Sequence, residues 1–328
     1  MKGGTHPRVS VVVPNYNYAR FLPRRMESIL NQTFTDLEVI FLDDASTDDS
    51  RAVVQQYAGD PRVRMEFNAV NSGSPFAQWN FGVNRARGEY VWIAEADDFA
   101  DPDFLERLVP LLERDAKLGL VYCQSRLVDE TNRRIGTMLP YTDRLWSGRW
   151  TESFRNHGRD EVARYLVHRC TIPNASAVLF RRTAYLDAGG ADPGMRLCGD
   201  WLTYVRILMR WDLHFLAREM NEFRIHDGAV RSRMSGDPRE IEERYLVLEA
   251  VLRDLPVTRR DRFRALESRM YLWVNLTEKR GWSLGCREMQ PVCAVAARVD
   301  PHPGFRFVKK KLLRRLKRAW GRGVSRWK

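Results

Sequence analysis

Over the first 125 residues, short apolar runs alternate with segments in which apolar positions recur at helical steps. Val9–Val13, Glu38–Leu42, Val63–Phe67, Tyr90–Ala94 and Leu118–Cys123 have the length and β-branched content of strands. Residues 19–31, 49–58, 76–87 and 103–114 carry the helical period between them. This βαβα rhythm predicts a parallel sheet with helices on both faces. Val9 and Val11–Val13 are almost continuously apolar, as strands covered on both sides are.

The rhythm loosens after residue 125. Thr131-Asn132 reads as a turn and residues 145–158 as a loop. Ala175–Phe180 reads as a strand, followed by a short helix closing at Gly189-Gly190. Gly199-Asp200 opens a further helix, with Asp200 as a candidate N-cap. From Pro238 onward, Ile241, Tyr245, Leu248, Leu252 and Leu255 recur at steps of three and four. The expected divisions are 1–125, 126–235, a helical extension over 236–304 and a tail over 305–328.

Charge changes the picture only once it is located. The 328-residue chain has a formal net charge of +12, yet Phe305 to Lys328 holds eleven Lys or Arg and no Asp or Glu. The remainder has 43 basic and 42 acidic residues, so the body is nearly neutral and no nucleic-acid partner is expected. Within the tail, Phe305, Val308, Leu312, Leu316 and Trp320 repeat at helical steps, widened by Leu313 and Ala319. Basic residues surround that stripe, the pattern of a helix lying on an anionic membrane surface. Each Lys or Arg held near such a surface contributes about 1 kcal/mol. The competing reading is a terminal helix packed on the protein with its charges in water.

The five cysteines form no CxxC pair and no metal-ligand spacing with histidine. With no apolar run of bilayer length and no separate signal-peptide core, the expectation is a cytoplasmic protein, peripheral on the inner face of the membrane.

Three predicted strand ends carry polar chemistry, where open parallel sheets bind ligands. They are Pro14-Asn15-Tyr16-Asn17, Asp43-Asp44-Ala45-Ser46-Thr47-Asp48 and Glu95-Ala96-Asp97-Asp98. Adjacent carboxylates at the end of a buried strand are costly without a partner and suit a hard divalent cation. By themselves, Asp97-Asp98 and Asp200 are equally readable as helix caps, Tyr16 as core and Asp44 as a cap of the following helix.

The stretches VSVVVPNYN, SILNQTF, VIFLDDASTDDS, ARGEYVWIAEADD, RRTAYLDAGG, CGDW and FRIH, in that order over about residues 8–230, resemble the family 2 glycosyltransferases. The resemblance implies a GT-A fold: a Rossmann-like mixed α/β sheet flanked by helices, here with a C-terminal helical extension. On that basis residues 1–125 bind the nucleotide-sugar and 126–235 the acceptor. The implied reaction is inverting transfer from a nucleotide-diphospho-sugar donor, UDP- or dTDP-linked, to an acceptor hydroxyl in polysaccharide or lipid-linked glycan assembly. It assigns Asp98 to a Mg²⁺ or Mn²⁺ ion, Asp97 to the donor's ribose or the metal's waters, and Pro14 and Tyr16 to the base. Asp44 would accept the base's imide N–H, and Asp200 would act as general base.

Gly199-Asp200-Trp201-Leu202 matches the family's base motif, and Trp201 is either a sugar platform or a buried aromatic. His226 stands where many GT-A enzymes bring a histidine to the metal or diphosphate, and Arg224 and Arg231 are candidates for neutralising phosphate charge. One departure is Glu95, where many relatives have Asp. The rival readings are a nucleotidyltransferase, which would need a Gly-rich Arg-containing loop after the first strand, and a non-catalytic sugar-nucleotide-binding protein, which would need no base.

Overall fold

In a computed structural model the described residues are 6–143, 148–234, 236–283 and 285–324; the side chains of Arg231, Arg233 and 315–324 lie outside that description. The chain forms two compact units, Met1–Val162 with Cys170–Ala229, and Ala163–Arg169 with Val230–Lys328.

The first unit is built on one sheet. Its strands are β1 (Val9–Asn15), β2 (Leu37–Asp43), β3 (Val63–Phe67), β4 (Tyr90–Ile93), β5 (Phe99–Ala100), β6 (Leu118–Val128), β7 (Arg134–Thr137), β8 (Phe154–Asn156), β9 (Val178–Arg181) and β10 (Asp212–Arg224). The order is β3-β2-β1-β4-β9-β6-β10-β5, with β7 on β6 and β8 on β10. β3, β2, β1 and β4 run parallel as the sequence predicts. β6 keeps that direction, as the βαβα rhythm of the first 125 residues predicts, and β9, inserted between β4 and β6, pairs antiparallel with both. The sheet is therefore mixed, as the family resemblance implied.

Both faces of the parallel half are covered. Val9, Val11 and Val13 pack with Val39, Phe41, Trp92, Leu22, Met26, Ile29, Phe104 and Leu108 on one side. On the other, the helix Pro75–Arg85 comes so close that a Cβ on Gly82 would lie 2.3 Å from a methyl of Val12. Glycine is what permits that approach.

The QTF stretch has a structural task. Gln32 donates its amide to the Asp101 carbonyl at 2.7 Å and accepts from the Leu105 N–H at 3.0 Å. The end of the helix Leu22–Leu30 is thereby tied to the segment just after Asp97-Asp98.

The region after residue 125 is more regular than its sequence suggested. Thr131-Asn132 does turn the chain, with Asn132 at φ 67°, joining β6 to β7. The loop expected over 145–158 contains a 3-10 turn and β8, and its residues 145–147 lie outside the described ones. The strand expected at 175 starts at Val178, after a 3-10 turn over Ala175–Ala177.

In the second unit, the helices Pro238–Asp254, Arg259–Arg280, Gln290–Val299 and Pro303–Val324 enclose a small core of their own. Ile241, Tyr245, Leu248, Val251, Met270, Trp273, Val274 and Phe307 are buried in it. Among the described residues no helix is long and apolar enough to cross a membrane.

Candidate active site

Because β1, β2 and β4 are parallel neighbours, their carboxyl ends open on one edge of the sheet. The chain runs outward from β1 to β2 and β3, then returns to place β4 on the other side of β1. The crevice at this reversal is flanked by Pro14–Asn17 and Glu95–Asp98, where doubly wound sheets bind ligands.

The turns after β1 and β2 are laced together. Asn15 donates to Asp43 Oδ1 at 2.8 Å, and Asp43 Oδ2 accepts the Ser46 N–H at 3.0 Å. Asn17, at φ 61°, points its Oδ1 at the Thr47 N–H, 2.7 Å away. Ala45 also has a positive φ, 59°, a conformation that costs a non-glycine residue energy and persists where surrounding bonds enforce it. Pro14 is buried within β1, whereas Tyr16, just beyond it, is 40% exposed.

Asp44 is buried and held by a cradle. Its Oδ1 accepts from Asn68 Nδ2 at 2.7 Å, the Ser72 N–H at 2.8 Å and Gln78 Nε2 at 2.9 Å. Its Oδ2 accepts from the Ser72 hydroxyl at 2.7 Å. With a single protein donor, Oδ2 keeps acceptor capacity for one more N–H.

Glu95–Asp98 forms a tight turn, closed by the Asp98 N–H on the Glu95 carbonyl at 3.2 Å. Asp98 is buried; its Oδ1 accepts the Arg224 main-chain N–H at 2.9 Å and its Oδ2 the Asn174 amide at 3.1 Å. Asp97 Oδ2 lies 3.0 Å from His226 Nε2. The imidazole is thus on Asp97 rather than Asp98, packed edge-on against Tyr18 and Phe21. His226 follows the end of β10 rather than lying in a strand. Glu95 Oε1 accepts from the Trp79 indole at 2.8 Å.

These carboxyl groups crowd one another in a desolvated space. Burial, with repulsion from Asp97, pushes Glu95 up to about 8 and raises Asp98 well above the carboxylate range. Arg25 answers part of the charge from below. It is fully buried on the helix Leu22–Leu30, and its Nε donates to the Glu95 carbonyl at 2.8 Å. Burial lowers its guanidinium to about 10 despite the nearby Asp98, Asp97 and Glu95.

This group of carboxyls is chemically suited to a divalent cation even beside the Arg25 and Arg224 guanidiniums; Asp98 itself is oriented by the Arg224 N–H, the Asn174 amide and the Ser176 side chain. Among the described residues no three His, Cys, Asp or Glu side chains converge as a ligand set. The fit is therefore to an ion that keeps few protein ligands, as Mg²⁺ does beside phosphates.

Arg224 does not point into open space. Its Nε, Nη1 and Nη2 donate to the Asp97 carbonyl at 2.7 Å, the Asp129 carbonyl at 2.8 Å and Asn132 Oδ1 at 2.7 Å. It braces the carboxylate turn instead of facing a ligand. The side chain of Arg231 lies outside the described residues.

Asp200 is half-buried in the first turn of the helix Gly199–Leu208. Cys198, not Asp200, occupies the N-cap position; the Asp200 Oδ1 accepts the N–H of Trp201 at 2.6 Å. A Cβ on Gly199 would lie 2.4 Å from the Phe76 ring, so glycine lets this turn press on the helix that carries Trp79. Tyr204, one turn on, is pushed well above its ordinary value by burial, and Asp200 and Glu95 both add to the rise. Trp201 itself is buried, which removes it as a sugar platform.

The sequence reading missed Arg25, Asn68, Ser72, Gln78 and Asn174. Arg25 left a signal: it occupies the apolar face defined by Leu22, Met26 and Ile29. An arginine in that register requires buried acceptors.

The sequence model of the family described as Glycosyl transferase family 2 matches residues 10–185, more than half of the chain. The chain belongs to glycosyl transferase family 2. A chondroitin synthase of Escherichia coli is 40% identical over 130 residues, 39% of this chain and 19% of that protein. A hyaluronan synthase of Pasteurella multocida is 37% identical over 124 residues, 38% of this chain and 13% of that protein. The chain thus spans only a fraction of these relatives' length. An uncharacterised glycosyltransferase of Rickettsia typhi is 25% identical over 229 residues, 69% of this chain and 67% of that protein.

Among solved structures, Staphylococcus aureus TarS 1–349 in complex with UDP-GlcNAc superposes with a TM-score of 0.68 at 15% identity, covering 96% of this chain and 92% of that one. The Pyrobaculum calidifontis mannosyltransferase PcManGT with GDP-Man and Mn²⁺ gives 0.56 at 18% identity, covering 94% and 86%. These likenesses show the fold, that of the GT-A family 2 glycosyltransferases.

Proposed function

We propose that this family 2 chain transfers a sugar, with inversion, from a nucleotide-diphosphate donor to an acceptor hydroxyl. The observation that carries the reading is the meeting of the buried Asp98 and the half-buried Glu95 and Asp97 with the Asp44 cradle on one sheet edge. Such an edge offers a base-reading acceptor on one side and an anionic, cation-seeking site on the other.

The base lies against Pro14 and the exposed Tyr16 ring, and its imide N–H goes to Asp44 Oδ2. Uracil and thymine present that N–H, so UDP- or dTDP-sugars are the expected donors. Asp98 would hold a Mg²⁺ or Mn²⁺ ion, with Asp97 and His226 beside it orienting ribose or bound water. When bound, the cation stabilises the leaving diphosphate. Asp200 takes the proton from the attacking hydroxyl on the face opposite the leaving group. The named polysaccharide synthases among the relatives support a growing glycan or lipid-linked oligosaccharide as acceptor.

The test is a panel of UDP-, dTDP- and GDP-sugars with Mn²⁺, followed by binding and by nucleotide release with and without acceptor glycans. Uridine or thymidine donors should bind, and turn over when the acceptor is added. A preference for guanosine donors would overturn the base assignment. Binding without turnover across the panel and a range of acceptor glycans would favour a sugar-nucleotide-binding protein.

A further inference from the structure

The helix Pro303–Val324 carries chemistry that sugar transfer leaves unused. Its inner side is settled within its own unit. Phe307 is buried against Trp273, with ring centroids 5.5 Å apart. Arg306 pairs with Asp300 at 2.7 Å and with Glu267 at 3.3 Å, and Lys310 pairs with Glu267 as well.

The outer side is apolar and uncovered. Phe305, Val308 and Leu312 are 73%, 60% and 56% exposed, at spacings of three and four that align them on one face. Leu313 is exposed beside them, whereas Phe263 and Tyr271 on the companion helix Arg259–Arg280 lie under the Arg306 and Arg314 guanidiniums. Four of the twelve exposed large hydrophobic side chains among the described residues therefore lie within nine positions of this one helix. Isolated exposed apolar side chains are ordinary, but a cluster of this kind marks an interaction surface.

Charge identifies the partner. Lys309 is exposed next to Val308 and Leu312, and the segment 305–328 has eleven Lys or Arg with no Asp or Glu. A second copy seated on the stripe would bring like charges together. An anionic bilayer offers acyl chains to the stripe and phosphates to the cations that flank it. We propose that this helix docks in the plane of an anionic lipid surface, with Phe305, Val308 and Leu312 in the acyl boundary and Lys309 at the headgroups. The sequence spacing continues to Leu316 and Trp320, whose side chains lie outside the described residues. This inference is independent of the donor chemistry, because none of the residues proposed for transfer is involved.

The experiment uses the full chain with vesicles of phosphatidylcholine alone and of phosphatidylcholine with phosphatidylglycerol. The protein should co-sediment with the anionic vesicles at low salt and be released at high salt, while leaving neutral vesicles in suspension. Val308→Ser with Leu312→Ser changes only exposed positions, so the melting temperature should hold while binding falls to the neutral background. Lys309→Glu should weaken binding without removing the stripe. Binding that ignores lipid charge, or a serine variant that binds like the original chain, would overturn the proposal. So would a dimer of the free protein that the serine variant dissociates, since the stripe would then be covered by a second copy.

Discussion

Arg224 gives its main-chain N–H to Asp98 Oδ1 at 2.9 Å, while its guanidinium holds the Asp97 carbonyl at 2.7 Å. One residue at the end of β10 thus fixes both members of the carboxylate pair that follows β4. The same guanidinium reaches Asp129 and Asn132 beyond β6, so the turn is braced against two other strand ends.

Arg224→Lys tests the brace. Lysine keeps the charge but cannot span three separated acceptors, leaving buried carbonyls without donors. Stability should fall by roughly 2–3 kcal/mol in urea unfolding, with a loss of donor affinity. A variant as stable as the original chain, with only weakened diphosphate binding, would return Arg224 to the ligand-facing role considered from the sequence.

Asp44 and Asp98 should separate by metal dependence. Asp44→Asn puts an amide N–H donor where a carboxylate oxygen met the donors of Asn68, Ser72 and Gln78, so the cradle loosens and the base loses its partner. Binding of free UDP should weaken by roughly tenfold or more, with or without metal. Asp98→Asn should leave metal-free UDP binding intact and abolish the increment produced by Mn²⁺. Isothermal titration on both variants decides the matter, and equal losses in both would undo the assignment.

The parallel half of the sheet was legible because continuous apolar strands and amphipathic helices each announce themselves locally. β10 was not. Register shifts between Leu216 and Glu219, and again before Asn221, break the two-residue alternation by which a strand is read. Its inner half also buries Asn221 and Glu222, so polarity argued against a strand where one exists. The site was legible as motifs but not as partnerships. Nothing near Asp44 in sequence points to Asn68, Ser72 and Gln78, and nothing near Asp98 points to Asn174. Those bonds arise only when β2 meets β3 and the helix Pro75–Arg85, and when β4 meets β9.

Asp200→Asn should leave donor binding within a few-fold of the original while transfer falls by roughly 10²–10⁴. The amide can still accept from the Trp201 N–H through its oxygen, so the first turn of the helix is retained. What disappears is the capacity to take a proton. Single-turnover transfer against donor affinity measures the two separately. Near-normal transfer by this variant would reduce Asp200 to a residue that only supports the first turn of a helix.

The last prediction concerns pH. Glu95 and Asp98 are raised in the folded chain, Glu95 to about 8, first by burial and then by Asp97. Between the ordinary carboxylate pKa and the raised one, the folded state holds protons that the unfolded chain has released. The stability linked to these groups is therefore complete in acid, below the unfolded values, and is lost progressively as pH rises toward 8. A divalent cation that binds the ionised cluster reverses this slope, because it replaces the protons with a fixed positive charge. Thermal unfolding in the presence of a chelator should show a melting temperature that declines from mildly acidic pH to about pH 8. Added Mn²⁺ should raise the melting temperature little at the acidic end and increasingly across the same window. Glu95→Gln should flatten the chelator profile, since it removes one of the titrating groups while keeping an acceptor for the Trp79 indole. A Mn²⁺ effect that is uniform with pH, or absent, would remove the carboxyl cluster as the cation's site.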